Sequence, residues 1–157
     1  MVDLGSGGGL DVFLAANKVG TTGQVVGLDM SEDMLARARR NATRNGLVPP
    51  HVAFARAVFG SAEGLPIKSD SVDCILSNCV LNLVPEEHKG PLAKELFRVL
   101  CPGGRLAIHD ILAKRPMPDS VKTNMAAHVG CIAGAVTVEQ YERQLRDAGF
   151  QGELFRR

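Results

Sequence analysis

A cysteine lies at the end of a predicted strand, in the segment 77-SNCVLNLVP-85. The apolar run 72–76 precedes it, and the amides of Asn78 and Asn82 stand on either side. As a thiolate, a cysteine is a strong nucleophile and a ligand for soft ions. As a thiol, it is more often a small buried hydrophobe. Cys79 is therefore the first candidate for chemistry, and its surroundings must decide between these two roles.

A glycine-rich loop, 3-DLGSGGG-9, joins a predicted strand to a predicted helix. Glycines let the backbone turn tightly and approach a ligand, and the helix behind them offers free N–H groups. The dinucleotide fingerprint GxGxxG fails because Leu10 occupies its sixth position, and the triphosphate motif GxxxxGK[ST] fails as well. What fits is an acid followed by alternating glycines: Asp3, Gly5, Gly7 and Gly9. This pattern predicts a ligand loop and implies no pyrophosphate.

A second acid, Asp29, ends the next predicted strand, 24 residues after Gly5. In nucleotide-binding α/β folds, an acid at this position accepts hydrogen bonds from ribose hydroxyls. The alternative is an acid that only interacts with the N-terminus of the following helix. Because two successive strand–helix units carry matching features, we favour a shared ligand site.

Strands and helices alternate along the chain, which predicts an α/β domain with a doubly wound, mostly parallel sheet, incomplete at its edges. The predicted strands cover 1–4, 24–28, 52–55, 72–76 and 105–109, with the start of a sixth at 154–155. The predicted helices cover 10–19, 31–45, 91–100, 120–135 and 137–148, with a short helical turn starting at Pro85. Ligands of such folds bind beyond the carboxyl ends of the strands, where Asn78 and Cys79 are predicted to lie.

The composition is that of one compact domain of 157 residues, with 45% hydrophobic and 22% charged residues. A net charge of +1 gives no electrostatic case for nucleic acid or an anionic membrane. No apolar run could span a bilayer, and the chain opens on its glycine motif without a signal peptide, so we expect a cytoplasmic protein. Four scattered cysteines do not predict a disulfide framework, and we expect Cys74 and Cys101 to lie away from the site.

Taken together, these segments resemble the class I S-adenosylmethionine-dependent methyltransferases over nearly the whole chain. The loop 3-DLGSGGG-9 is similar to their motif I, and 61-SAEGLP-66 is similar to their adenine-holding loop. The segment 95-ELFRVLCPGG-104 resembles their helix and turn before strand five. The resemblance implies S-adenosylmethionine as cofactor, with contacts from Asp3, Gly5, Ser6, Gly7, Gly9, Asp29, Met30, Ala62, Glu63 and Asn78.

Within that superfamily, 77-SNCVLNLVP-85 and 129-VGCIAGA-135 closely resemble the arsenite methyltransferases. The resemblance implies that Cys79 and Cys131 bind trivalent arsenic, from arsenite or methylarsenite, with a small thiol such as glutathione as third ligand or reductant. Arsenic held by thiolates keeps a lone pair that can attack a methyl carbon, so no general base is needed. Members of that family carry further cysteines upstream and a C-terminal domain. Residues 1–157 are therefore expected to be a single methyltransferase domain, truncated at both ends.

Three alternatives remain open at this point. Cys79, Cys131, His109 and His128 could form a zinc site. A small organic acceptor such as a quinone could be methylated with His109 or His128 as the base. The chain could also be a truncated module that binds cofactor or arsenic without turnover. The number of methyl groups transferred and the oligomeric state do not follow from the sequence.

Overall fold

The computed structural model describes residues 1–122 and 131–152. Its strands are β1 (Val2–Leu4), β2 (Val25–Asp29), β3 (Val52–Arg56), β4 (Val72–Asn78) and β5 (Leu100–His109). Its helices are α1 (Leu10–Val19), α2 (Glu32–Arg44), α3 (Glu86–Val99), α4 (Asp119–Lys122) and α5 (Val138–Ala148). A 3-10 turn covers Leu81–Leu83. Within the described ranges, no helix is both long enough and apolar enough to cross a membrane.

The strands form one sheet in the order β3-β2-β1-β4-β5. The strand β1 pairs in parallel with β2 and with β4, and β2 pairs in parallel with β3. Leu4 lies opposite Leu28 on one side and opposite Ser77 on the other. The carboxyl ends of β1, β2 and β4 therefore reach the same edge of the sheet, and the predicted α/β class is confirmed.

The chain divides into two compact units. The sheet unit comprises Met1–Val58, Leu65–Asn78 and Val99–Ile108. The thiol unit comprises Phe59–Gly64, Cys79–Arg98 and His109–Arg157, and it contains both cysteines of the predicted arsenic site. Asn78 is the last residue of one segment of the sheet unit, and Cys79 is the first residue of the next segment.

The core of the sheet unit forms where the apolar faces of α1 and α2 meet the first strands. Buried Val12, Ala15 and Ala16 of α1 share a cluster with Val25 of β2 and Val52 of β3. Small alanines on the buried helix faces allow a close approach between helix and sheet.

The helix α2 begins where its cap is predicted. The Ser31 hydroxyl accepts a hydrogen bond from the Met34 N–H at 3.3 Å, and Glu32 and Asp33 complement the helix dipole in the first turn. At the other end, Gly46 adopts φ 68°, in the left-handed region that favours glycine after a helix. Both ends of α2 are thus explained by local sequence.

The helix α3 differs from its prediction. A short turn at Pro85 and a main helix from Pro91 were expected, but one helix of 14 residues runs through Pro91. Proline usually forces the preceding residue out of the helical region because its ring contacts that residue's Cβ. Gly90 precedes Pro91 and has no Cβ, which removes much of this conflict and lets the helix continue.

The C-terminal predictions have mixed outcomes. The capping box Thr137–Gln140 is present, with hydrogen bonds of 3.0 and 3.3 Å, and it starts α5 as expected. The helix predicted over 120–135 is wrong at its end, because residues 131–136 form turns and irregular backbone rather than helix. Its centre, with His128, and the strand predicted at 154–155 lie outside the described residues.

Candidate active site

The glycine loop is tied to the end of the neighbouring strand. The N–H groups of Gly5 and Ser6 both donate to the Leu28 carbonyl, at 2.8 and 2.9 Å. Gly5, Gly7 and Gly9 have φ values of 71°, 49° and 96°, a region where other L-residues are strained. The alternate glycines are therefore required by the backbone path, as the spacing predicts.

Asp29 joins the loop to the start of α2. Its Oδ2 atom accepts the Gly7 N–H at 2.8 Å, and its Oδ1 atom accepts the Ser31 N–H at 2.9 Å. The role at the helix start is therefore present, and the same carboxylate also supports the glycine loop, whereas its contact with ribose hydroxyls remains a prediction. Each carboxylate oxygen has a further lone pair, so the group can still accept a hydroxyl donor.

Asp3 is the most perturbed acid of the sheet unit. Its side chain is buried in β1, and this burial, followed by the charges of Asp11 and Asp29, raises its pKa to about 7. Asn78 belongs to the same neighbourhood, because its Nδ2 atom lies 3.5 Å from Asp11 Oδ2. Three carboxylates around one glycine loop favour a cationic ligand group.

Gly27 and Ser6 form a feature that the sequence analysis missed. A Cβ atom on Gly27 would lie 2.7 Å from Ser6 Oγ and 2.6 Å from the Phe54 ring, so only glycine fits in this strand. Ser6 Oγ is buried and has no hydrogen-bond partner among the described residues. The signal available in the sequence was a glycine inside an apolar strand, which indicates close approach. An orphaned hydroxyl beside the loop is available to a ligand.

In the thiol unit, the Cys79 segment is hydrogen-bonded to the end of β5 and to the residues that follow it. The Cys79 N–H donates to the His109 carbonyl at 2.8 Å. Asp110 Oδ2 accepts the Leu81 N–H at 3.0 Å, and Asn82 Nδ2 donates to the Ile111 carbonyl at 2.8 Å. Residues 79–82 are therefore fixed along their length, which limits how far Cys79 can move.

The structure brings the two predicted arsenic thiols together. Cys131 Sγ donates a hydrogen bond to the Cys79 carbonyl at 3.2 Å. Burial, then the neighbouring Cys79 and Asp110, raise the pKa of the Cys131 thiol. Cys131 is therefore a protonated thiol at neutral pH, and it becomes a ligand only by giving up that proton.

Both cysteines have an unusual backbone. Among the described residues 1–122 and 131–152, three non-glycine residues have positive φ: Asp70, Cys79 at 57° and Cys131 at 58°. A left-handed conformation costs a non-glycine residue roughly 1 kcal/mol or more, and such strain clusters at functional sites. Two of these three residues are the predicted arsenic ligands, which supports a functional role for the pair.

Gly134 holds the Cys131 loop against the Cys79 segment, so its replacement by alanine is expected to destabilise the protein. An alanine Cβ would collide with the Asn82 carbonyl, and both partners are backbone, which cannot move aside cheaply. We expect Gly134→Ala to lower the free energy of unfolding by about 1–3 kcal/mol. Chemical denaturation measures this, and the reaction of Cys131 with a monofunctional thiol reagent should become faster.

The matched control is Gly8→Ala, because a Cβ at Gly8 would lie 3.9 Å from the flexible Arg37 side chain, which is an ordinary contact. This variant should keep the native free energy of unfolding within about 0.5 kcal/mol. Equal stability of the two variants would contradict the packing role of Gly134.

The remaining predicted residues lie on exposed positions. Met30 is 52% exposed beyond β2. Ala62 and Glu63 are exposed in a turn of the thiol unit that is closed by the Gly64 N–H, which donates to the Ser61 carbonyl at 3.2 Å. These positions are open to a ligand, and their predicted contacts with the adenine remain predictions.

The zinc alternative gains no support from the described residues. Across 1–122 and 131–152, no group of three histidine, cysteine or acidic side chains could hold a metal ion. His128, which that site would need, lies outside these ranges.

The fold and the loop chemistry agree with a known family. A family model described as a methyltransferase domain matches residues 1–149. The chain belongs to this methyltransferase family. It is similar to the arsenite methyltransferase of Halobacterium salinarum, with 42% identity over 96% of this chain and 37% of the relative. It is also similar to the arsenite methyltransferase of Aquipseudomonas alcaligenes, with 34% identity over 96% of this chain and 43% of the relative.

A solved structure of an arsenic methyltransferase is also similar to this chain. The methyltransferase domain superposes on an arsenic(III) S-adenosylmethionine methyltransferase of Chlamydomonas reinhardtii with a TM-score of 0.82 and 32% identity. The match covers 94% of this chain and 50% of that one. The predicted resemblance to arsenite methyltransferases is confirmed by these relatives. The chain spans half or less of the length of each of them.

Proposed function

We propose that this methyltransferase domain transfers a methyl group from S-adenosylmethionine to trivalent arsenic held by Cys79 and Cys131. The observation that carries the proposal is the pairing of these residues, with Cys131 Sγ 3.2 Å from the Cys79 carbonyl. Two thiols held at one point form a soft site, and trivalent arsenic prefers such ligands. The arsenite methyltransferases similar to this chain support the same acceptor.

The sheet unit has the groups needed to hold S-adenosylmethionine. The carboxylates of Asp3, Asp11 and Asp29 suit the cationic groups of that molecule, and Asp29 retains lone pairs for ribose hydroxyls. The orphaned Ser6 Oγ atom is available to it as well. When bound, the cofactor supplies an electrophilic methyl group on a sulfonium. We assign its remaining contacts, as the resemblance implies, to Gly5, Gly7, Gly9, Met30, Ala62, Glu63 and Asn78.

The thiols would bind arsenite by ligand exchange. Each As–OH bond is replaced by an As–S bond, and the hydroxyl leaves as water with the proton of the thiol. The raised pKa of Cys131 does not oppose this step, because the neutral thiol carries the proton that the leaving hydroxyl needs. A small thiol such as glutathione would complete the arsenic coordination. The arsenic lone pair remains for the methyl carbon, and catalysis consists mainly of positioning.

The proposed setting is the cytoplasm, where thiols stay reduced. The cysteines of the chain are unpaired, as a thiol site requires. The net charge of +1 favours a small-molecule substrate over nucleic acid or a membrane surface as partner.

A single assay tests the proposal. The protein is incubated with S-adenosylmethionine, arsenite and glutathione, and methylated arsenic is separated and quantified by mass spectrometry. We expect methylarsenic to form in proportion to protein and to time. Binding of cofactor and arsenite without any product would instead indicate a binding module, and methylation of a quinone but not of arsenite would indicate the organic acceptor.

A further inference from the structure

Lys89 is a buried cation that the proposed reaction does not use. It lies in α3 and is only 2% exposed. Its Nζ atom donates to the Leu81 carbonyl at 2.6 Å and to the Gly134 carbonyl at 2.9 Å. Lysine is almost never fully buried unless it is paired, so the burial of Lys89 beside two backbone carbonyls requires an explanation.

The two carbonyls belong to the two segments that carry the thiols. Leu81 follows Cys79 by two residues, and Gly134 follows Cys131 by three. One ammonium group therefore connects the Cys79 segment to the Cys131 loop from within the thiol unit. Cys131 Sγ also donates to the Cys79 carbonyl, so among the described residues the two segments are joined both directly and through Lys89.

The electrostatics explain how a cation persists there. Burial lowers the pKa of Lys89, whereas the carboxylates of Asp110 and Glu86 raise it. Asp110 in turn accepts the Leu81 N–H, so the acid that balances Lys89 also holds the Cys79 segment. A buried charge of this kind contributes little to net stability compared with an apolar residue of the same size. Its effect lies in fixing which backbone groups meet.

We propose that Lys89 is a positioning residue that fixes the spacing of the Cys79 and Cys131 thiols, so that both bind one trivalent arsenic. This inference rests on the proposed function for its ligand. The spacing itself is a property of the thiol unit and can be tested without arsenic. Two ligands held at one site act at a high effective concentration, and loosening one segment removes that advantage.

The parent protein for this test carries Cys74→Ser and Cys101→Ser, which leaves Cys79 and Cys131 as the reactive thiols. The test compares this parent with the same protein carrying Lys89→Met. The arsenical probe is phenylarsine oxide, which binds through two thiolates. We expect Lys89→Met to weaken its binding by about 10- to 100-fold. The rate of modification by a monofunctional alkylating reagent should be equal to that of the parent or higher, because both thiols remain present and a loosened segment does not shield them. Retained phenylarsine oxide affinity in Lys89→Met would overturn the proposal.

A matched variant separates positioning from general loosening. Leu92→Val removes one buried methylene from the same helix and leaves both carbonyl contacts of Lys89 in place. We expect Leu92→Val to bind phenylarsine oxide as tightly as the parent. An equal loss in Leu92→Val would contradict the specific role of Lys89. If Lys89→Met does not fold, Lys89→Gln retains a shorter amide donor, and its affinity should lie between those of the parent and a single-thiol variant. Parent-like affinity in Lys89→Gln would overturn the proposal.

A second readout distinguishes this inference from the proposed function. A bifunctional bromobimane cross-links two thiols only when they lie close together, and it needs no arsenic. If the parent cross-links and Lys89→Met does not, Lys89 sets the spacing of the thiols. That conclusion holds whether or not the parent binds arsenite, and a parent that cross-links but does not bind arsenite contradicts the proposed function alone. If both proteins cross-link equally, Lys89 does not set the spacing.

Discussion

Replacing Cys79 with serine is expected to reduce the rate of arsenic methylation by roughly 100-fold or more. The change removes one of two thiolates that act on the same arsenic, and losing one arm of a two-point site costs about 10²- to 10⁴-fold. A serine oxygen is a hard ligand and cannot replace the soft thiolate. The measurement is the initial rate of methylarsenic formation at saturating S-adenosylmethionine, together with the affinity for phenylarsine oxide.

The chain offers its own controls for this experiment. Cys74 and Cys101 are half-buried cysteines of the sheet unit, and serine at either position should leave the rate within about threefold, as surface and half-buried substitutions usually do. Cys131→Ser is a sharper variant, because a serine hydroxyl can still donate to the Cys79 carbonyl while the soft ligand is lost. Full activity in Cys79→Ser, or an equal loss in Cys101→Ser, would contradict the assignment.

The glycine loop and the acid after β2 were predictable because local sequence determines them. Positive φ at Gly5, Gly7 and Gly9 leaves glycine as the favoured residue, so the pattern in the sequence is the pattern of the backbone. Asp29 follows a strand at a fixed distance along the chain, and its two N–H partners come from the loop and the helix start. The resemblance to a known family then supplied the ligand.

The thiol unit was less predictable because its geometry depends on distant partners. Lys89 has ordinary neighbours in sequence, and its ammonium group is held by carbonyls 8 residues before it and 45 residues after it. The Cys131 segment is rich in small residues and was predicted to be helical. Packing of Gly134 against the Asn82 backbone favours a turn there instead, and propensity gives no sign of that contact.

Asp3→Asn is expected to raise stability most strongly above neutral pH. Burial raises the pKa of Asp3 to about 7 in the folded protein, compared with an ordinary value of 3.8. The folded state therefore binds the proton more tightly than the unfolded state. The stability from this group is complete below pH 3.8 and is lost as pH rises through 7. At pH 8 the native fold holds a buried carboxylate charge, which asparagine would remove.

The size of the effect follows from the shift. A difference of about three pKa units corresponds to roughly 4 kcal/mol, and partial solvation of the charge brings the expected value to about 2–4 kcal/mol. Between pH 5 and pH 8 only about two of these three units are crossed, so the free energy of unfolding of the native protein should fall relative to Asp3→Asn by about 1.5–2.5 kcal/mol. Urea denaturation followed by circular dichroism measures it. Asp73→Asn, at an exposed position of β4, is the control and should keep the native pH dependence.

The same titration is expected to govern cofactor affinity. A cationic ligand beside Asp3, Asp11 and Asp29 is bound best by the ionised form of Asp3, because opposite charges favour ionisation. Affinity for S-adenosylmethionine should therefore increase by up to about tenfold from pH 6 to pH 8 in the native protein, since one pKa unit corresponds to a factor of ten. Asp3→Asn should bind more weakly and with little dependence on pH over this range. Calorimetric titration at pH 6, 7 and 8 measures the affinity of each protein and its dependence on pH. Parallel pH profiles of the two proteins would show that ionisation of Asp3 does not affect binding of the cofactor.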